Sequence, residues 1–303
     1  MNLIAVAAVA ATVASPRLGD NLWMWGHDTG HYDGPVNYAR HDYKIPWSAP
    51  ITMADACVEM GIPNCCVIRP GMPPPEDDYL PQFSKLSGIS WLLWKSTREY
   101  CLEKAVKIPN IKAFDLDDFF TEYPAVEERP DGTKVRVNKG VMTLKEIDET
   151  RRDLSEKAGH PVELRLVLYT RQLSQWIVPA CEAVDKVLLW TWDGKDVKSM
   201  DTNVGRFRSL LPDKPILLGL YMWDFGGHKP IEREFMQSQL DLAARLYRQG
   251  IIDGMIFHCT PLVNKHLEAV EMAREWIRRH KDDLHGVEPK QELQLVRDRK
   301  SVV

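Results

Sequence analysis

The stretch IKAFDLDD, residues 111 to 118, has the composition of a buried strand but ends in acids. Side chains alternate between the two faces of a strand, so Asp115 and Asp117 are expected to share one face. Asp118 then lies at the end of the strand. Three carboxylates within four residues repel one another, so at least one of them is expected to have a raised pKa or to contact a cation.

Short apolar runs of this kind recur, and eight in all are predicted as strands. They are residues 21–27, 64–70, 89–95, 111–118, 162–169, 186–192, 215–223 and 254–259. Stretches with apolar residues at helical spacing lie between them, although those after the second and fifth strands are poorly marked. Alternation of strands and helices indicates parallel pairing, and strands that are apolar almost throughout indicate burial on both faces.

Eight such units predict an α/β fold, a closed (β/α)8 TIM barrel in a single domain over residues 21–280. The glycine-rich turns of nucleotide-binding open sheets are absent from the sequence, and no cofactor is predicted. Long loops are expected after the first and fourth strands, at 28–50 and 121–142. Within the second loop, Pro-Asp-Gly between alternating residues of 127–140 predicts a hairpin over the barrel mouth, a candidate lid. Residues 281–303 are predicted as a charged, solvated tail.

Composition narrows the class of partner. The chain has 303 residues, of which 44% are hydrophobic and 27% charged, and a formal net charge of −4. That balance gives no basic field for nucleic acid, so a small or neutral molecule is the expected partner. The sequence does not indicate an oligomeric state.

The first 20 residues contain an apolar run followed by small residues, and two interpretations stay open. A cleaved signal peptide predicts a secreted or periplasmic protein, whereas an N-terminal plug at the base of the barrel would leave the protein cytoplasmic. Later segments are too short to predict a membrane span. The six cysteines show no C-x-x-C spacing and are expected to be mostly small core residues, with a disulfide left open.

Active sites of (β/α)8 barrels lie where the strands end, so the acids of residues 115–118 are expected at the catalytic face. The candidate catalytic residues are Asp115, Asp117, Asp118 and Asp193. Glycoside hydrolysis needs two carboxyl groups across the bond to be cleaved. The sequence offers Asp117 or Asp118 with either Asp193 or Asp224, and Asp193 is preferred because it would lie across the mouth.

Tryptophans are unusually frequent in the predicted strands and at their ends, and flat aromatic faces suit sugar rings. The mouth-facing tryptophans are expected to contact a ligand, whereas Trp91 and Trp190 are equally well explained by packing against helices. The candidate substrate-binding residues are Trp25, His27, Asp28, Arg69, Trp94, Lys95, Tyr169, Trp192, Tyr221, Trp223, Asp224 and His258. Arg69 and Lys95 are also candidate cations for the acid cluster.

The acids of the fourth strand and the aromatic strand ends resemble those of barrel glycoside hydrolases, in particular chitinase-like and α-galactosidase-like enzymes. The resemblance covers residues 21–280 and implies glycosidic bond cleavage by paired carboxylates. Asp115 and Asp117 match the last two aspartates of the chitinase pattern D-x-x-D-x-D-x-E, but Phe119 stands where that pattern has its proton donor. The α-galactosidase pattern would use Asp117 and Asp193, but its Lys-x-Asp is not formed. No single family is identified.

Two other functions remain open at this point. A non-catalytic carbohydrate-binding barrel would use the same aromatic mouth but would not need a carboxyl group with a raised pKa. A metal-dependent hydrolase would draw on His27, Asp28, His31 and His258, which are ligand-type residues at strand ends. Their spacing does not match the H-x-H and later histidines that a barrel amidohydrolase is expected to show, so no metal is predicted.

Overall fold

The eight predicted strands close into a parallel barrel. The computed structural model of the protein describes residues 15–27, 42–46, 51–68 and 80–290. The barrel strands are β1 (Leu22–His27), β2 (Asn64–Ile68), β3 (Gly88–Leu92), β4 (Ile111–Leu116), β7 (Glu163–Tyr169), β8 (Lys186–Trp190), β9 (Ile216–Tyr221) and β10 (Gly254–His258). Their order around the barrel is β1-β10-β9-β8-β7-β4-β3-β2, closed by the pairing of β1 with β2. The fold class predicted from the sequence is confirmed.

Helices surround the barrel. They are α1 (Met53–Met60), α2 (Arg98–Lys107), α3 (Leu144–Ala158), α4 (Val178–Ala183), α5 (Met200–Leu210), α6 (Arg233–Arg248) and α7 (Glu268–His280). The helix α3 shows how the sequence sets these bounds: Thr143 and Glu146 form a capping box, and Gly159 ends the helix with a φ of 70°. The helical stretches after the second and fifth predicted strands were poorly marked in the sequence. The structure has a 3₁₀ turn at Leu80–Lys85 in the first place and the six-residue α4 in the second.

A hairpin of β5 (Phe120–Glu128) and β6 (Lys134–Gly140) follows β4, as predicted. It lies along the helical shell rather than over the mouth. The Arg136 guanidinium lies 4.8 Å from the ring centroid of Trp176, just before α4, and Arg129 pairs with Glu182 near the end of α4 at 2.9 Å. Because α4 runs from the mouth to the base of the barrel, the hairpin packs along the outside of the molecule.

Residues 281–290, the described part of the segment that follows α7, form hydrogen bonds across the base of the barrel. The amides of Leu18 and Gly19 donate to the carbonyls of Asp283 and Lys281, and the His285 amide donates to the Pro16 carbonyl. Residues near both ends of the described chain therefore meet on the face opposite the mouth. Residues 1–14, 28–41 and 291–303 lie outside the described residues, so the signal peptide remains a prediction.

Each of the six cysteines is buried and none forms a disulfide, as expected for small core residues. In the described part of the chain, none of the helices combines the length and the apolar character that crossing a membrane would require.

Candidate active site

Asp115 is enclosed in the barrel interior. Its side chain is fully buried, and the Nε of the equally buried Arg165 lies 2.8 Å from its carboxylate. The Ser90 hydroxyl donates a second hydrogen bond to Asp115, and the Arg165 guanidinium lies 4.1 Å from the ring centroid of Trp23. Burial raises the pKa of Asp115, and the charge of Arg165 opposes that rise. The structure thus places Asp115 in an internal ion pair beneath the mouth.

Asp117 lies two residues further along and is half-buried where β4 gives way to a turn. The amide of Asp118 donates to its carboxylate at 2.9 Å. Burial, followed by the negative charge of Asp118, raises the pKa of Asp117 to about 7. A carboxyl group with this pKa carries a proton for part of the time at neutral pH, which suits a general acid.

Asp118 projects from the rim. Its backbone has a φ of 43°, in the left-handed region that aspartate tolerates better than most residues. This turn leaves the side chain exposed, and the Tyr169 hydroxyl donates to its carboxylate at 3.3 Å. Of the three acids, Asp115 is therefore fully buried, Asp117 is half-buried and Asp118 is exposed.

A cluster of aromatic side chains forms the bottom of the barrel mouth. The ring of Trp25 lies 5.6 Å from that of Trp190, and the ring of His258 lies 5.7 Å from those of His27 and Trp190. Tyr221 joins the cluster with its ring 5.2 Å from His258. These residues are nearly fully buried, so their rings form the bottom of the site.

Trp190 lies inside the barrel rather than against a helix. A Cβ placed on Gly219 would lie 2.1 Å from a carbon of the Trp190 ring, so the absence of a side chain at this glycine makes room for the indole. Trp91 differs, because its ring packs against Phe83 and Tyr100 in the outer shell. Of the two tryptophans for which helix packing was considered, only Trp91 is found there.

Trp192 lies beside Tyr169, whose hydroxyl donates to Asp118. It is partly exposed, and its ring lies 6.1 Å from that of Tyr169 and 5.9 Å from that of Tyr221. Trp223 is different, since only 2% of its surface is exposed and its indole donates to the Tyr43 carbonyl at 3.2 Å. Trp192 therefore offers a surface to a ligand, while Trp223 supports the loops behind it.

The other two candidate acids have contrasting surroundings. Asp224 is buried, and its carboxylate accepts hydrogen bonds from the amides of Gly194 and Gly227 at 3.0 and 2.8 Å, which ties the loops after β8 and β9 together. Asp193 lies against Gly226, and one of its carboxylate oxygens is 3.7 Å from the Nζ of Lys195. Asp224 thus serves the loop structure, and Asp193 remains at the rim.

The remaining candidates lie further out or outside the described residues. Trp94 is partly exposed and begins a short 3₁₀ turn, and Lys95 pairs with Glu146 at 2.6 Å rather than with the acids of β4. Asp28 and Arg69 lie outside the described residues. No group of three His, Cys, Asp or Glu side chains with the geometry of a metal site occurs in the part of the chain that the structure describes.

Two residues of the candidate site were not predicted from the sequence. Arg165 is the partner of Asp115, and Phe225 lies 4.6 Å from the ring of His258 in the wall of the mouth. Arg165 could have been identified, because it is the single charged residue within the otherwise apolar run LRLVLY, on the strand that pairs with β4. Phe225 gave no such signal, since it follows the end of β9 within a loop.

The chain is therefore a (β/α)8 barrel with a carboxyl-bearing aromatic mouth. No family model matches the sequence, and no curated protein matches it either. Among solved structures, a β-glucuronidase from Ruminococcus gnavus in complex with D-glucuronic acid has 6% identity and a TM-score of 0.50, covering 84% of this chain and 48% of that one. A Bacteroides uniformis β-glucuronidase has 11% identity and a TM-score of 0.44, covering 80% and 30%.

The Ruminococcus structure supports a barrel fold like that of glycoside hydrolases, as the sequence resemblance implied. At such low identity the likeness concerns the fold alone. The chain spans less than half the length of these two proteins.

Proposed function

We propose that the protein cleaves a glycosidic bond at the barrel mouth, with Asp117 as the general acid. The observation that carries the proposal is the half-buried carboxyl of Asp117, whose pKa is raised to about 7 beside an aromatic surface. A group with that pKa can protonate a leaving glycosidic oxygen near neutral pH. The barrel fold shared with a structure named as a glucuronidase agrees with this class of reaction.

Asp193 is the proposed second carboxylate. Two steps around the barrel separate β4 from β8, with β7 between them. Adjacent strands lie about 4.8 Å apart, so the strand ends that carry Asp117 and Asp193 are about 10 Å apart. Two carboxyl groups that act on one glycosidic bond are about 5 to 9.5 Å apart, a separation that side chains reaching inward from these two strand ends can adopt. Asp118, by contrast, approaches from the same strand as Asp117. Asp118 is proposed to act on the protonation of Asp117 through its charge.

The sugar is proposed to lie against Trp192 and Tyr169. These two rings are perpendicular, with an interplanar angle of 85°, and both retain exposed surface beside the acids. An apolar sugar face can pack on one ring while its hydroxyl groups reach the carboxylates. Trp25 and His258 would form the floor below the sugar.

The test is turnover of a panel of aryl glycosides and polysaccharides by the wild type and by Asp117→Asn, Asp118→Asn and Asp193→Asn. Loss of the general acid is expected to lower kcat by about 10²- to 10⁴-fold. Asp213→Asn, which removes an exposed carboxylate at the base, is the matched control and should leave turnover unchanged. Unchanged turnover in Asp117→Asn would contradict the mechanism.

The pH profile gives a second check on the wild type. An acid whose pKa is raised to about 7 loses its proton as the pH rises through that value, so activity should decline above it. Asp118→Asn removes a negative charge that raises the pKa of Asp117, and the decline should therefore begin at lower pH in this variant.

A non-catalytic carbohydrate-binding barrel is the second candidate. It is favoured by the commitment of Asp115 to Arg165 and of Asp224 to backbone amides, which takes two strand-end acids out of any reaction. Calorimetric titration separates the two functions. An enzyme should bind its sugar in the Asp117→Asn form without turning it over, whereas a binding protein should bind equally in both forms and hydrolyse in neither.

A further inference from the structure

Arg171 stands at the same rim as the carboxylates. It follows β7, it is exposed, and its guanidinium carbon lies 4.5 Å from the ring centroid of Tyr169. The hydroxyl of that tyrosine donates to Asp118. A guanidinium stacked on an aromatic face is held in place by cation–π attraction, so it loses little freedom when it binds a partner.

The charge of Arg171 acts toward the interior of the mouth. Burial raises the pKa of Tyr221 well above its ordinary value, and the positive charge of Arg171 opposes that rise. Burial also raises the pKa of Tyr169, and the charge of Arg171 opposes that rise too. Because Tyr221 is 3% exposed and belongs to the floor cluster, the guanidinium lies close enough to influence the place where a ligand would sit.

Two other cations at the rim, both among the described residues, are already paired. Lys95 lies 2.6 Å from Glu146, and Lys195 lies 3.7 Å from Asp193. Arg171 takes part in none of the ion pairs formed by the described residues. Its fork of N–H donors matches the oxygens of a carboxylate or a sulfate, and such charge-assisted contacts are stronger than those to neutral hydroxyls.

We propose that Arg171 binds an anionic substituent of the sugar, so that the ligand of the mouth is an acidic glycan carrying a carboxylate or a sulfate ester. This rests on the proposed sugar site but not on its catalytic step. The negative rim acids alone would repel such a ligand, and Arg171 supplies the compensating charge at the edge of the Tyr169 ring. A neutral sugar would use the aromatic surface without using this cation.

The test is binding, measured by ligand-observed NMR and calorimetry with glucuronic acid, glucose 6-sulfate and glucose as probes. The wild type is expected to bind at least one anionic probe more tightly than glucose. Arg171→Met should weaken that binding by about 10- to 100-fold, the effect of losing a charge-assisted contact, while leaving glucose unchanged. Arg171→Lys should restore part of it. Arg206→Met, an exposed arginine on α5, is the matched control and should have no effect.

The two anionic probes distinguish the sources of the charge. A response to glucuronic acid alone indicates a carboxylated sugar, and a response to glucose 6-sulfate alone indicates a sulfated one. Equal binding of all three probes, or anionic binding that survives Arg171→Met, would overturn the proposal. Hydrolysis of a glucuronide and of a sulfated glycoside at the wild-type rate by Arg171→Met would overturn it while supporting the glycosidase function. Arg171-dependent binding without turnover of any glycan would do the reverse.

Discussion

Replacing Asp117 with Asn is expected to stabilise the protein at high pH even as it removes activity. In the folded protein, burial and the charge of Asp118 raise the pKa of Asp117 from 3.8 to about 7. Holding this carboxylate ionised in the fold therefore opposes folding. A shift of about three pH units at 1.36 kcal/mol each sets an upper value of about 4 kcal/mol. Because Asp117 keeps part of its surface in water, we expect a gain of about 1 to 2 kcal/mol.

The raised pKa of Asp117 makes the contribution of this group to wild-type stability depend on pH. Below about pH 4 the carboxyl is protonated in both the folded and the unfolded states, so asparagine should make little difference. Above about pH 7 it is ionised in both states, so the folded wild type carries the whole penalty. The contribution of this group to wild-type stability thus falls as the pH rises through that window, and the advantage of the variant grows.

Urea unfolding followed by tryptophan fluorescence at pH 4, 6 and 8 measures this directly. The difference in free energy of unfolding between Asp117→Asn and the wild type should increase from pH 4 to pH 8 at a constant m value. Asp213→Asn serves again as the exposed control. A difference that does not depend on pH, or a variant less stable than the wild type at pH 8, would refute the explanation that burial and the charge of Asp118 raise the pKa of Asp117.

Further predictions concern the interior and the loops. Arg165→Met leaves Asp115 buried without its cation and should lower the free energy of unfolding by about 3 to 5 kcal/mol, measured by urea titration. Gly219→Val would force side-chain atoms into the Trp190 ring, 2.1 Å from the position of an added Cβ, and should lower the Tm and change the near-ultraviolet circular dichroism. Asp224→Ala removes the acceptor of two backbone amides and should cost about 1 to 3 kcal/mol in the same unfolding assay.

The barrel was predictable because its signals are local. Each strand is a short apolar run, and the observed strand β4 at Ile111–Leu116 lies inside the predicted 111–118. The final two residues of that prediction are Asp117 and Asp118, which leave the strand because Asp118 takes a left-handed conformation. Strand ends are set by such single-residue turns, which composition does not reveal.

Side-chain partners across the barrel were harder to predict. Asp115 and Arg165 meet because their strands are adjacent and register these two residues opposite each other. Arg69 and Lys95 were expected in that role only because they lie on strands close in sequence, and Lys95 instead reaches Glu146 at the start of α3. The placement of the hairpin likewise depends on Arg129 and Arg136 meeting the outer shell, which its turn sequence does not encode.

The joining of residues 16–19 to 281–285 on the base has a practical consequence. Leu284, in this segment, is 41% exposed, whereas all six native thiols are buried. A cysteine introduced at position 284 would therefore offer a selective attachment point for a maleimide surface. Molecules anchored there would present the opposite face to the bulk solution, so an immobilised layer should keep the aromatic opening accessible to large polysaccharides.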